Sequence, residues 1–157
     1  MKTRKLELFE IAGYLPYGLM CVEFGKIAKI GGFKKVNGDF CFNFYFNSYV
    51  SETHHHIELI MPILRPLSDL YNPIQHNGKE IVPAAKILSN YSSTPENQYK
   101  FSGNEYKVGL FYFITQGVDM SDYEIFDYLH KLKIDYRNLI DDGLAISVYD
   151  LENNPYK

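Results

Sequence analysis

The chain has no tryptophan, only two cysteines, and no apolar run approaching the roughly 20 residues that a membrane span requires. Each absence excludes something. Cys21 and Cys41 form no Cys-x-x-Cys pair, so the thioredoxin-like and zinc-ribbon readings fall away. Both have apolar or aromatic neighbours and are expected as reduced thiols in strands rather than as a disulfide. The glycines at 25, 31 and 32 lack the spacing of either phosphate-binding fingerprint. No local signature of a nucleophile surrounds either cysteine. The expected number of cofactors is zero.

Positive charge is also scarce. Sixteen Lys and Arg stand against 19 Asp and Glu, for a net charge of −3. The deficit lies at one end: residues 1–117 hold twelve basic and ten acidic side chains (+2), residues 118–157 four and nine (−5). A chain without a basic stripe is a poor binder of arbitrary nucleic acid, which demands several phosphate-neutralising cations. The start, Met1-Lys-Thr-Arg-Lys5, is basic, but Glu7 and Glu10 stand where the apolar core of a secretory signal would follow. The expected location is the cytoplasm, with no membrane partner.

What the chain does have is the composition of a globular domain: 46% hydrophobic and 22% charged residues in 157. Phe40, Phe42, Phe44 and Phe46 alternate with Cys41, Asn43 and Tyr45, which predicts a strand with the phenylalanines on its buried face. Asn37-Gly38 and Asn77-Gly78 predict two tight hairpins. The pattern gives a helix over 3–13 capped by Thr3 and stopped at Gly13 and Pro16, and strands over 19–24, 26–30 and 56–64. It also gives a helical turn over 67–71, a short helix over 84–88, a mobile loop over 89–98, and strands near 99–101 and 106–114. Ser121 and Glu124 form a capping box for a helix burying Ile125, Leu129 and Leu132. Asp135 opens a second helix ending at Gly143, before a strand over 144–149. Strands flanked by helices make this an α+β chain: one domain over 1–157, a mainly antiparallel sheet, an N-terminal helix and two C-terminal helices.

Three clusters are candidates for function. In Thr53-His-His-His56, an extended backbone turns His54 and His56 to the same side, the start of a zinc or manganese site serving a metal-dependent hydrolase. A third ligand would have to come from Glu52, Glu58, His76 or further away; the simpler reading is a solvated hairpin tip. Lys26, Lys29, Lys34 and Lys35 lie close to the aromatic strand and could grip single-stranded nucleic acid. The phenylalanines share one face, however, and are more economically read as core. Asp127, Asp141 and Asp142 belong to the acidic quarter and offer a surface for a basic protein partner, although helix-start carboxylates are also ordinary capping.

Several phrases resemble a family of small uncharacterised proteins from phages and prophages of gut Bacteroidetes. They are Ala12-Gly-Tyr-Leu-Pro-Tyr-Gly-Leu19, Pro62-Ile-Leu-Arg-Pro-Leu-Ser-Asp-Leu70, Asn77-Gly-Lys-Glu-Ile-Val-Pro83 and Leu139-Ile-Asp-Asp-Gly-Leu-Ala-Ile146. Family members often carry Trp-His-Phe-Asp before the final helix; here Leu132-Lys-Ile-Asp135 keeps only the aspartate. Residues 25–58 match nothing in it. The resemblance implies a mobile-element accessory protein and supplies no catalytic residues. The expected function is non-enzymatic: binding a host or phage macromolecule in the host cytoplasm, with anti-CRISPR-like inhibition of a defence nuclease as its most concrete form.

Overall fold

The computed structural model describes residues 4–46, 49–91, 96 and 122–157. Its contacts fall into two compact units, residues 1–66 with 135–155, and residues 67–134 with 156–157. The fold is mixed α+β with a mainly antiparallel sheet.

The first unit holds a six-stranded sheet. Its strands are β1 (Met20–Glu23), β2 (Lys26–Val36), β3 (Asp39–Phe46), β4 (Tyr49–His56), β5 (Met61–Leu64) and β8 (Ile146–Ser147), in the order β4-β3-β2-β1-β5-β8. All neighbours are antiparallel except β5 and β8. The Asn37-Gly38 hairpin forms as the sequence predicts, with φ of 51° and 98°. Phe42 and Phe44 are fully buried, and Phe40 and Phe46 pack against the same core, so the predicted register holds. Cys41 is buried too, on the opposite side of β3.

Two irregularities bend this sheet. Between Ile30 and Phe33, β2 spends Gly31 and Gly32 opposite the single Asn43 of β3, and β4 in turn spends residues 52–54 opposite Asn43. Extra residues in one strand raise the local twist and curl the ladder. The Tyr45 ring lies close over Gly31: a Cβ there would stand 2.3 Å from its Cε2.

The N-terminal helix is shorter than its pattern predicts. Helix α1 covers Leu8–Ile11 and tightens into a 3-10 helix over Ala12–Tyr17, which runs through Gly13 and Pro16 and stops at Gly18, in the left-handed region at φ 72°. Thr3 lies outside the described residues. Glu10 accepts from the Glu7 backbone N–H at 2.9 Å, and Arg4 pairs with both Glu10 and Asp142. The 56–64 strand is broken by a 3-10 turn at Ile57–Leu59.

The second C-terminal helix does not form, and residues 135–143 are turns and irregular backbone. Asp135 does cap, accepting from the backbone N–H groups of Leu139 (3.0 Å) and Ile140 (2.8 Å). Asn138, however, takes a left-handed φ of 64°, which no α-helix accommodates. The strand predicted over 144–149 is reduced to β8, followed by a 3-10 turn at Val148–Asp150.

The second unit contains the hairpin β6 (Ile74–His76) and β7 (Lys79–Ile81), helix α2 (Pro83–Tyr91), helix α3 (Asp122–Leu132) and a 3-10 turn at Leu67–Leu70. Helix α2 runs three residues beyond the expected Leu88, so Ser89–Tyr91 are helix rather than loop. The rest of the 89–98 loop, save Glu96, lies outside the described residues, as do the 99–101 and 106–114 strands and the Ser121 cap. Ile125, Leu129 and Leu132 are buried as the α3 pattern predicts. Among the described residues no helix is long and apolar enough to cross a membrane.

Candidate functional site

Strand β1 alternates, and its inward positions are Cys21 and Glu23. A glutamate only 4% exposed must meet a partner, because burying a lone carboxylate is costly. The partner is His55, whose Nε2 lies 3.0 Å from Glu23 Oε1. His55 pairs across the ladder with Phe42 and therefore shares its inward face. In sheet order β4 stands three strands from β1, which in a flat sheet would be roughly 14 Å. The sheet must therefore roll up until its two inner faces meet at this pair.

The pair has an unusual setting. Burial pushes the Glu23 carboxyl above its ordinary value, and the His55 ring partly offsets that rise. Oε1 has no well-aligned hydrogen bond, so the contact is electrostatic, an ion pair when the imidazole is protonated. Phe44 packs against the imidazole at 5.7 Å and Phe24 meets it edge-on at 5.5 Å. Phe24 stands at the β1–β2 turn, 81% exposed and at φ 47°, a conformation that suits Asn or Gly and strains a bulky side chain. Cys21 lies beside the pair, its thiol pushed up to about 12 by burial and by Glu23. That thiol is inert as a nucleophile at neutral pH.

Away from this pair the same unit carries an open groove of about 590 Å³. Leu6, Leu8, Phe9 and Ala12 line it from the N-terminal helix and the residues before it, Phe40 and Ile57 from the sheet side. Glu7, Asp39 and Glu58 reach it, whereas no lysine or arginine is among its lining residues. His56 also lines it, with Nδ1 3.9 Å from Asp39 Oδ2. The chain's own cations stand around the edge: Lys5 on Glu58 at 2.6 Å, Lys35 at 5.9 Å from the Phe40 ring centre, and Arg137 at 5.6 Å from that of Phe9.

The sequence candidates are placed as follows. His56 faces the groove, while His54 falls in the irregular stretch of β4 with its side chain outside the described set. Among the described residues no three His, Cys, Asp or Glu side chains converge on a metal position. The four lysines do not form one stripe. Lys35 pairs with Phe40 and Lys26 with Glu23, on inward-facing register positions, whereas Lys29 pairs with exposed Tyr45 and Lys34 with Cys41 on the opposite side. Asp141 and Asp142 are exposed in the first unit, and Asp142 is engaged by Arg4. Asp127 belongs to the second unit, where it lines a more polar concavity of about 530 Å³ with Tyr123, Tyr128 and Lys131. Glu23 and His55 were not among the candidates. The available signal was a glutamate in phase with Cys21 on an alternating strand.

No family model, curated protein or solved structure matches the chain.

Proposed function

We propose that this protein is a non-catalytic binding protein, and that the groove of the first unit is where a partner protein docks. The observation that carries the reading is the groove's make-up: apolar walls in which Phe9 is exposed and Leu8, Phe40 and Ile57 are half-buried in the free chain, a volume able to take several side chains, and a few polar residues among the lining. Such a surface gains by being covered, since apolar area removed from water contributes about 25 cal/mol per Å². The enzyme reading has less support. Burial pushes the Cys21 thiol up, and among the described residues no three His, Cys, Asp or Glu side chains converge on a metal position. Splitting the lysines between two sides also weakens the single-stranded nucleic-acid reading.

In the mobile-element setting implied by the family resemblance, the partner is a host or phage protein in the host cytoplasm, and restraint of a defence nuclease is one form the binding takes. Ala12→Trp tests the reading, because Ala12 is exposed at the groove and a bulky ring there fills it without entering the core. The untagged protein, purified from cells that make it, should carry a stoichiometric partner, and Ala12→Trp should lose that partner at unchanged thermal stability. Retention of the partner by a folded Ala12→Trp variant, or no partner at all in wild type, would refute the groove as the docking site.

A further inference from the structure

Resting on that reading, we infer that the groove is built for an arginine carried on an apolar segment of the partner protein. The first reason is charge. Glu7, Asp39 and Glu58 line the groove with no lysine or arginine among the lining residues, so an incoming guanidinium finds Glu7 and Asp39 and competes with Lys5 for Glu58, with Lys35 and Arg137 standing at the edge. The second reason is the nature of the walls. Phe9 already holds the Arg137 guanidinium on its ring and Phe40 the Lys35 ammonium, so both aromatics are placed where cations gather. A planar guanidinium suits this surroundings better than an ammonium, since it stacks on a ring while its edge donates to carboxylates in a fork.

The third reason is reach. Asp39 sits at the start of β3 and Glu58 in the 3-10 turn after β4, both exposed, and Leu8, Phe40 and Ile57 line the same groove. An arginine stem laid along those apolar side chains buries its methylenes and brings its head to the carboxylates. Lys5 now holds Glu58 from outside, in an exposed pair that costs little to exchange. Flanking leucines on the partner would cover Phe9 and the half-buried Leu8.

The probe is a blocked peptide, acetyl-Leu-Ala-Arg-Leu-Gly-amide, titrated into the full chain while the backbone amide signals of Ala12, Asp39 and Ile57 are followed by NMR. Binding at those amides is expected, about tenfold weaker when the arginine is replaced by uncharged citrulline, and similarly weaker in an Asp39→Asn/Glu58→Gln variant. Affinity should also fall as salt is raised. Equal binding of the arginine and citrulline peptides would overturn the cation while leaving the groove as a docking site, provided Ala12→Trp abolishes both. Arginine amide alone binding as tightly as the peptide would overturn the protein segment in favour of a free amine. Absence of any shift at those amides would overturn the inference outright, and the Ala12→Trp co-purification would then decide the broader reading separately.

Discussion

His55 and His56 are chain neighbours, each beside a carboxylate, and they live in opposite worlds. His55 turns inward, 3.0 Å from a glutamate that is almost wholly buried; His56 turns outward, 3.9 Å from an aspartate that water reaches freely. One residue of register separates them, and register decides which face of a strand a side chain serves. The inner pair is a structural fastener between strands far apart in sheet order. The outer pair belongs to a surface with room to bind. The lesson is that similar residue types one step apart can serve the scaffold and the site respectively.

The comparison can be broken most severely from the inside. Phe44 packs on the His55 ring and is fully buried. Phe44→Ala should cost about 3–5 kcal/mol in a urea titration, from lost burial plus the cavity left behind. His55→Ala should cost about 2–3 kcal/mol by the same measurement, because it strands a buried carboxylate. A cost below about 0.5 kcal/mol would show that the inner pair fastens nothing.

A third test uses pH. The Glu23 carboxyl lies above its ordinary value of 4.5 in the folded chain, so the folded state binds the proton more tightly than the unfolded one. Its favourable contribution is complete below pH 4.5 and is lost as pH rises through the raised folded value. Glu23→Gln cannot ionise, so its melting temperature relative to wild type should climb across that window and then level off. A difference that stays flat with pH would mean Glu23 is not shifted. The smallest effect is expected outside: His56→Ala should change stability by no more than about 0.5 kcal/mol at any pH between those limits, as for other surface positions.

Much of the scaffold was readable from short-range rules. The Asn-Gly turns, the alternation over 40–46 and the buried face of α3 depend on neighbours a few residues away, and each is found as the pattern predicts. Where the reading failed, a side chain or backbone conformation competed with the pattern. Residues 135–143 are spaced like a helix, yet Asn138 in a left-handed conformation interrupts it after Asp135 has capped the turn. The Glu23–His55 contact was invisible for a different reason. It exists only because two irregular ladders roll the sheet, and the position of the second, at residues 52–54, leaves no mark in hydrophobic alternation. The groove shares that property, since α1, the β2–β3 turn and the 3-10 turn after β4 come together only once the sheet has curled.

Gly31 and Tyr45 tie this architecture to the way the sequence can change over generations. With 2.3 Å between a would-be Cβ at 31 and the Tyr45 ring, a side chain at 31 requires that ring to swing aside or be replaced by something smaller. Alanine at 31 should be better tolerated on a background where 45 has lost its ring, with the Asn43 carbonyl oxygen at 3.2 Å still limiting the space. The two positions should thus be inherited as a couple, and in a library of random variants their permitted residues will be correlated even where each single substitution is absent.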